Sequence, residues 1–326
     1  MSAAHPHGSA SEGRLNLSAG IASVSVALVL VALKLWALGA TGALSIAATL
    51  VDSALDLLMS AGSLAAILYA SKPADEDHAF GHTSAEDIAA LAQAVFILVS
   101  AGVIAVAAVR RLLAPEPPLI ESEAAGALVL GLSIILTAGL VLWQRRVVRQ
   151  TGNPVVAADS LHYVGDLIPS IGGLVALWAS AAYGLTRIDS VVALAAAGIM
   201  AVGARGIGKR ALDALMDRAA PPEVIAGIAA IAQGFPGVKG FHDLKTRTAG
   251  SRVFVNLHIE LDGSQTLDEA HAIGAALRRE IIRAYPRADV IIHKDPVGVQ
   301  PHPEDPRAGG RPDVPLSLRR PPGSGA

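Results

Sequence analysis

The chain of 326 residues contains no cysteine. Disulfides and thiolate metal sites are therefore excluded, and any metal site must use histidine, aspartate, glutamate, backbone or water. Charged residues are also scarce, at 17% against 52% hydrophobic residues, and the mean hydropathy is +0.49. So few charges do not cover a soluble fold, and the composition points to a polytopic membrane protein with soluble parts. A formal net charge of −2 leaves no electrostatic footprint for nucleic acid. Residues 1–18 (MSAAHPHGSASEGRLNLS) are polar and lack a cationic stretch leading into a short apolar core, so they do not read as a cleaved signal peptide. Two catalytic motifs are missing as well. GARGIGKR, ending at Arg210, puts an arginine where a phosphate-binding loop needs a hydroxyl, and no strand precedes it. HIEL at His258 is not the HExxH of a zinc protease.

What the chain does have is apolar length. A spanning helix needs about 20 mainly apolar residues, and six stretches meet or approach that: 17–40, 43–70, 88–109, 124–143, 155–183 and 188–202. The turn at 39–42 makes the first two a hairpin, and polar connectors at 71–85, 110–122 and 145–154 separate the others. If six helices alternate, Arg14, Lys72, Arg145, Arg146, Arg149, Arg205, Lys209, Arg210 and Arg218 fall on one side. The other side holds Arg110, Arg111 and Arg187, the first two near Glu116, Glu121 and Glu123. The excess of positive charge predicts both termini in the cytoplasm of a multi-pass protein of the plasma (inner) membrane. After Arg218 the pattern changes to that of a soluble domain: a helix over 221–235, strands over 238–248 and 251–261, a helix over 266–285 opened by a capping box of Thr266 and Glu269, and a strand over 288–293. The expected fold is thus a membrane α-helical bundle of six transmembrane helices followed by a cytoplasmic α+β domain in the order αββαβ. The predicted divisions are a tail at 1–15, the membrane domain at 16–210, the α+β domain at 211–298 and a disordered Pro-, Gly- and Arg-rich tail at 299–326.

Acids inside the apolar stretches carry the chemistry. Asp52 and Asp56 lie in the second stretch, His162 and Asp166 in the fifth. Each pair is spaced i, i+4, which puts its side chains on one helix face about 5–6 Å apart at Cβ. Each charge at mid-membrane costs about 2.5–3.5 kcal/mol, so the set calls for a counter-ion. Two carboxylates on one helix, with an imidazole and a carboxylate on the other, make a ligand set for a divalent metal such as Zn²⁺. Asp159, one turn before His162, reads as a supporting or membrane-edge acid, and Lys34 in the first stretch as a structural partner of an acid or a snorkelling cation. A second constellation, Asp75, His78 and His82, lies in PADEDHAFGH, with the histidines at i, i+4 if that loop is helical. A third, His242, His258, His271, His293 and Asp295, lies in the α+β domain. His258 falls on the strand face opposite Val255 and Leu257.

These motifs, LVDSALD, PADEDHAFGH followed by AE, ADSLHYVGD, HDLKTR and DVIIHKDP, resemble those of the cation diffusion facilitator family, in particular its bacterial zinc/iron exporters. The resemblance runs from Leu17 to Gly298. It implies a homodimer with six helices per subunit, a cytoplasmic metallochaperone-like domain, and zinc-for-proton exchange by alternating access. By motif, Asp52, Asp56, His162 and Asp166 match the transport site, and Asp75, His78 and His82 the loop site. His242, His258, His271, His293 and Asp295 match a cytoplasmic binuclear site with Asp295 as bridge. Zn²⁺ is then substrate and regulatory ion, Cd²⁺, Fe²⁺ and Co²⁺ are alternatives, and no organic cofactor or enzymatic activity is expected. A metal sensor that binds zinc without moving it is the rival reading. The chain departs from the family pattern in having Thr83 and Ser84 after His82, where a lysine often stands. It also has Lys294 between His293 and Asp295.

Overall fold

The computed structural model describes residues 10–41, 44–113, 124–183 and 188–298. The two tails beyond these limits, the proline-bearing connector at 114–123 and part of the first hairpin turn lie outside the described residues. Two compact units divide at Leu215/Met216.

The first unit is built of six long helices: α1 (Ala10–Thr41), α2 (Leu44–Ala70), α3 (Ser84–Leu113), α4 (Ala124–Thr151), α5 (Pro154–Tyr183) and α6 (Ile188–Leu215). Among the described residues, five of them (α1, α2, α3, α4 and α6) are long and apolar enough to cross a membrane. α5 carries Asp159, His162 and Asp166. Leu58, Val103, Ile135, Leu142 and Val202 are exposed on the helix exteriors, as expected where the outer solvent is lipid rather than water. Several helices outrun the apolar stretches that announced them. α1 takes in residues 10–15, assigned above to the tail, and α6 continues from 202 to Leu215 with Ala204, Ile207 and Ala211 buried along one face. Hydropathy measures lipid contact, while the helical hydrogen-bond ladder continues wherever one face stays packed.

The connector expected at 145–154 shrinks for a local reason. Arg145, Arg146 and Arg149 lie inside α4. Gly152 adopts φ 63°, and its N–H bonds the carbonyl of Val148 at 2.8 Å, a left-handed glycine stop. Asn153 then caps α5: its Oδ1 accepts from the N–H groups of Val155 and Val156 at 3.0 and 3.1 Å, with Pro154 as first helical residue. Its Nδ2 donates to Glu86 Oε1 of α3 at 2.8 Å, tying the turn to a third helix. α3 and α6 pack through small side chains, with Ala101 beside Ala197 and Ala204 in one buried cluster and Ala90 and Ala94 beside Ala211 in another, the way membrane helices come close without a hydrophobic driving force between them. At Gly165 of α5 a Cβ would lie 2.5 Å from the end of the Met200 side chain of α6, so a larger residue there would require Met200 to move.

The second unit contains α7 (Pro222–Gln233), β1 (Gly240–Ala249), β2 (Arg252–Leu261), α8 (Leu267–Ala284) and β3 (Ala288–Pro296), the predicted αββαβ order. The sheet order is β1-β2-β3, antiparallel then parallel. Val255, Leu257, Ile259 and Leu261 turn into a core with Ile228 and Ala232 of α7 and Leu277 and Ile281 of α8. The opposite sheet face is left for Asn256, His258 and Glu260, as period-2 alternation requires. The capping box at α8 is present in both directions between Thr266 and Glu269.

Candidate metal centres

In the helical unit, α2 and α5 bring Asp56, His162 and Asp166 together. One ligand atom from each lies within 4.8 Å of the others. His162 Nε2 stands 3.0 Å from Asp56 Oδ1 and 3.8 Å from Asp166 Oδ2. Tetrahedral N/O ligands at bond lengths of about 2.0–2.1 Å sit about 3.3 Å apart, so both of these separations lie within about 0.5 Å of the spacing a bound metal ion imposes. His162 is buried against Phe96 and Tyr163, with ring centroids 5.9 and 5.6 Å away. Asp166 Oδ2 makes no hydrogen bond and is left to His162 or an ion. Asp52, one turn before Asp56, is exposed and outside this group. Lys34 donates to Ser53 Oγ at 2.6 Å and to the Thr49 carbonyl at 3.0 Å. It lines a cavity of about 60 Å³ together with Asp56, Tyr163 and Asp166, so a cation and the candidate ligands share one small space.

Asp159 is fully enclosed. Its Oδ2 accepts from Ser23 Oγ of α1 and from Gln144 Nε2 of α4, each at 2.6 Å, and its Oδ1 accepts from Ser63 Oγ of α2 at 3.4 Å. Gln93 of α3 donates to Ser63, and Ser60 bonds the Tyr163 hydroxyl at 2.8 Å. Five helices thus meet in one polar network a turn from His162. Asp159 is a buried node that ties α5 to its neighbours. Ser23, Ser60, Ser63, Gln93 and Gln144 were legible only as isolated polar residues in apolar runs; the network is a property of helix packing.

The loop group also assembles, by a different route from the helix foreseen. Residues 71–83 form turns. The Asp75 N–H bonds the His78 carbonyl at 3.3 Å, the Gly81 N–H bonds the same carbonyl at 2.9 Å, and Gly81 sits at φ 84°. That left-handed glycine folds His82 back, so Asp75 meets His78 Nδ1 at 3.2 Å and His82 Nε2 at 3.2 Å. Helical i, i+4 spacing plays no part, because a glycine turn is the tighter way to return the chain. The His78 backbone N–H, donating to Asp75 Oδ1 at 2.7 Å, holds that carboxyl below its ordinary value, and the His78 side chain adds to the effect. His82 is buried edge-on against Tyr69, 4.8 Å between centroids, while Asp75 and His78 are exposed. One buried and two exposed ligands face the same point.

In the second unit, strand register does the assembling. His242 pairs with His258 across β1 and β2, and His258 with His293 across β2 and β3, so three imidazoles stand in one row, with centroids 5.1 and 4.6 Å apart. Asp295 reaches all three: Oδ2 lies 3.0 Å from His258 and 3.5 Å from His242, and Oδ1 lies 3.2 Å from His293. The tightest ligand group is His242, His258 and Asp295. His271 is exposed on α8, outside it. Two acids were not foreseen. Glu260 sits 3.3 Å from His242 Nδ1, and Asp243 Oδ2 lies 3.9 Å from His258 Nε2. Glu260 could have been found two residues along the His258 face. Asp243 could not, because the register breaks between His242 and Lys245 and Asp243 takes φ 48°. Lys294 crosses to the helix side, where a Cβ at Gly274 of α8 would lie 2.5 Å from its Cε. The cation that interrupts the motif is thereby kept on the face away from the histidines.

Comparison with known proteins gives matches along nearly the whole chain. Residues 20–216 match the Cation efflux transmembrane domain, and residues 220–297 match the Cation efflux protein, cytoplasmic domain. The cation-efflux pump FieF of Klebsiella pneumoniae is 40% identical over 291 residues, covering 89% of this chain and 96% of that protein. FieF of Escherichia coli O139:H28 is 39% identical over the same length and coverage. Among solved structures, the Zn form of a putative zinc transporter, CzrB, is 34% identical with a TM-score of 0.25, covering 26% of this chain and 99% of that one.

Proposed function

Since this chain belongs to the cation efflux family, we propose that it exports a divalent cation, zinc foremost, in exchange for protons. The observation that carries the reading is the Asp56–His162–Asp166 group inside the helices, where ligands on two helices converge within 4.8 Å. Each of these side chains binds either a proton or a metal at the same atoms. Metal entry therefore releases protons, and protonation from the opposite side expels the metal. His162 is the proton carrier of choice, because imidazole alone changes charge near neutral pH without perturbation. Asp52 completes a four-ligand set when α2 shifts relative to α5. Such a tilt exposes the site to each side of the membrane in turn. Cd²⁺, Fe²⁺ and Co²⁺ fit the same ligands, while Mg²⁺ prefers six oxygens.

The positive-charge distribution supports cytoplasmic termini in the inner membrane. The sheet cluster then serves as a cytoplasmic binuclear site bridged by Asp295 that raises inward affinity, and the cytoplasmic-domain match supports pairing of two copies. Within one chain that cluster uses His242, His258, His293 and Asp295; His271 needs another neighbour, and pairing of two copies is the arrangement that can supply one. The loop group of Asp75, His78 and His82 is a further candidate metal site.

Zinc uptake into inside-out proteoliposomes, with and without a pH gradient, tests the proposal. Gradient-driven uptake that disappears in Asp56→Ala is the expected result. A folded, zinc-binding wild type that moves no zinc would overturn transport in favour of a sensor.

A further inference from the structure

A groove of about 560 Å³, lined by none of the candidate metal ligands, opens between α4, α5 and α6, where α4 turns into α5. Its rim carries Arg145 and Arg149 of α4 and Arg210 of α6. Spaced i, i+4, the first two project from one helix face, and all three are exposed. No salt bridge engages any of them among the described residues, and no carboxylate or histidine lines the groove. Apart from the arginines and Ser160 its lining is apolar, with Leu161 of α5 and Val202 of α6 among it, and Gly206 of α6 also lines it. Val202 is also exposed on the lipid-facing exterior.

This combination selects its occupant. Three guanidinium groups repel a divalent cation, so the groove is not a path for metal. Unpaired arginines at the end of a helix bundle, above an apolar slot open to the bilayer, match a ligand with an anionic head and a hydrocarbon body. Guanidinium forks bind phosphate oxygens in pairs, and basic pockets between membrane helices are built for phospholipid head groups. We propose that the groove between α4, α5 and α6 is a binding site for an anionic phospholipid. Its phosphate is held by Arg145, Arg149 and Arg210, and its acyl chain lies along Leu161 and Val202. The proposal uses no metal ligand and stands independently of the transport reading.

The test is native mass spectrometry of the full-length protein after exchange into phosphatidylglycerol or phosphatidylcholine at equal mole fraction. Wild type is expected to retain phosphatidylglycerol preferentially. An arginine near the membrane surface contributes about fivefold toward an anionic lipid, so Arg145→Gln/Arg149→Gln/Arg210→Gln should remove most of the preference. Gly206→Leu is the second variant. A Cβ at this position meets nothing within 4 Å, so leucine fills the groove without straining the helices and leaves the arginines in place; it too should lose the bound lipid. Undiminished preference in the triple variant overturns the proposal. So does retention by Gly206→Leu alongside loss in the triple variant, since that pattern marks diffuse surface charge. Release of the lipid by excess inorganic phosphate alone would show that free phosphate, and not lipid, is the ligand.

Discussion

Replacing Asp159 by leucine tests whether the buried network holds the helices around the transport group. The substitution removes the carboxyl that accepts from Ser23 and Gln144 at 2.6 Å each. A buried donor left without a partner costs about 1–3 kcal/mol. Ser23 keeps a second partner, Ser60 at 2.8 Å, so its share falls near about 1 kcal/mol. Gln144 is completely buried, its Oε1 already lacks a partner, and its share is about 3 kcal/mol. Together these give about 4 kcal/mol, or a drop in melting temperature of about 8–16 °C for a unit of this size. Asp159→Asn retains one acceptor and should lose less than half of that. The double variant Asp159→Leu/Gln144→Leu, which deletes the stranded donor as well, should recover part of the loss, because an apolar replacement of both partners is cheaper than of one. Thermal unfolding of the purified protein in one detergent measures all three. If Asp159→Leu melts within about 2 °C of wild type, less than one such bond is worth on this scale, and the network does not hold the bundle together.

Other outcomes follow from the same geometry. Asp295→Asn should weaken zinc binding at the sheet cluster at least tenfold, on the scale of about 10–100-fold for partners of metal ligands, as read by titration of the full chain; unchanged affinity would remove Asp295 as the shared ligand. His162→Asp should shift transport from Zn²⁺ toward Mn²⁺, a harder ion, and an unaltered Zn²⁺/Mn²⁺ ratio would show that this position does not set selectivity. Leu277→Ala, at a fully buried site in the second unit, should cost about 2–5 kcal/mol, seen as a lower denaturation midpoint for that unit. The backbone N–H of Thr266 holds Glu269 below its ordinary value of 4.5. A depressed carboxyl stabilises above its unfolded value and loses that contribution as pH falls through its folded one. The Thr266 amide should therefore stay protected from hydrogen exchange at pH 4.5, and the protection should be gone at pH 4.5 in Glu269→Ala.

The helices were legible because lipid demands long apolar runs, and the acids in α2 and α5 stood out against them. Their ends were not, because residues 203–215 of α6 mix Lys209, Arg210 and Asp213 with a buried alanine face, and a hydropathy reading follows the charges. His242, His258 and His293 could each be placed on a strand by alternation, but their pairing required knowing which strands are neighbours. His271 shows the limit from the other side. Its residue type grouped it with the other histidines, yet the spacing of Ile273, Leu277 and Ile281 marks the face of α8 that packs on the sheet, and His271 lies off it, exposed. The loop triad was found from residue types alone, whereas its geometry depended on a glycine angle that no spacing rule contains.

The row of histidines has a mechanical consequence. His242, His258 and His293 share one sheet face only because β1, β2 and β3 are aligned residue for residue at that level. A slip of one position along any strand turns its histidine into the apolar core and a core residue outward. An ion gripped by these side chains therefore acts as a pin through three laminae, and its affinity is a gauge of whether they are correctly stacked. Since β1 and β3 are the free edges of the sheet, the pin also fixes the two strands most exposed to pairing with a foreign chain. Loss of the ion would then loosen the sheet at its edges, quite apart from any effect on the helical unit.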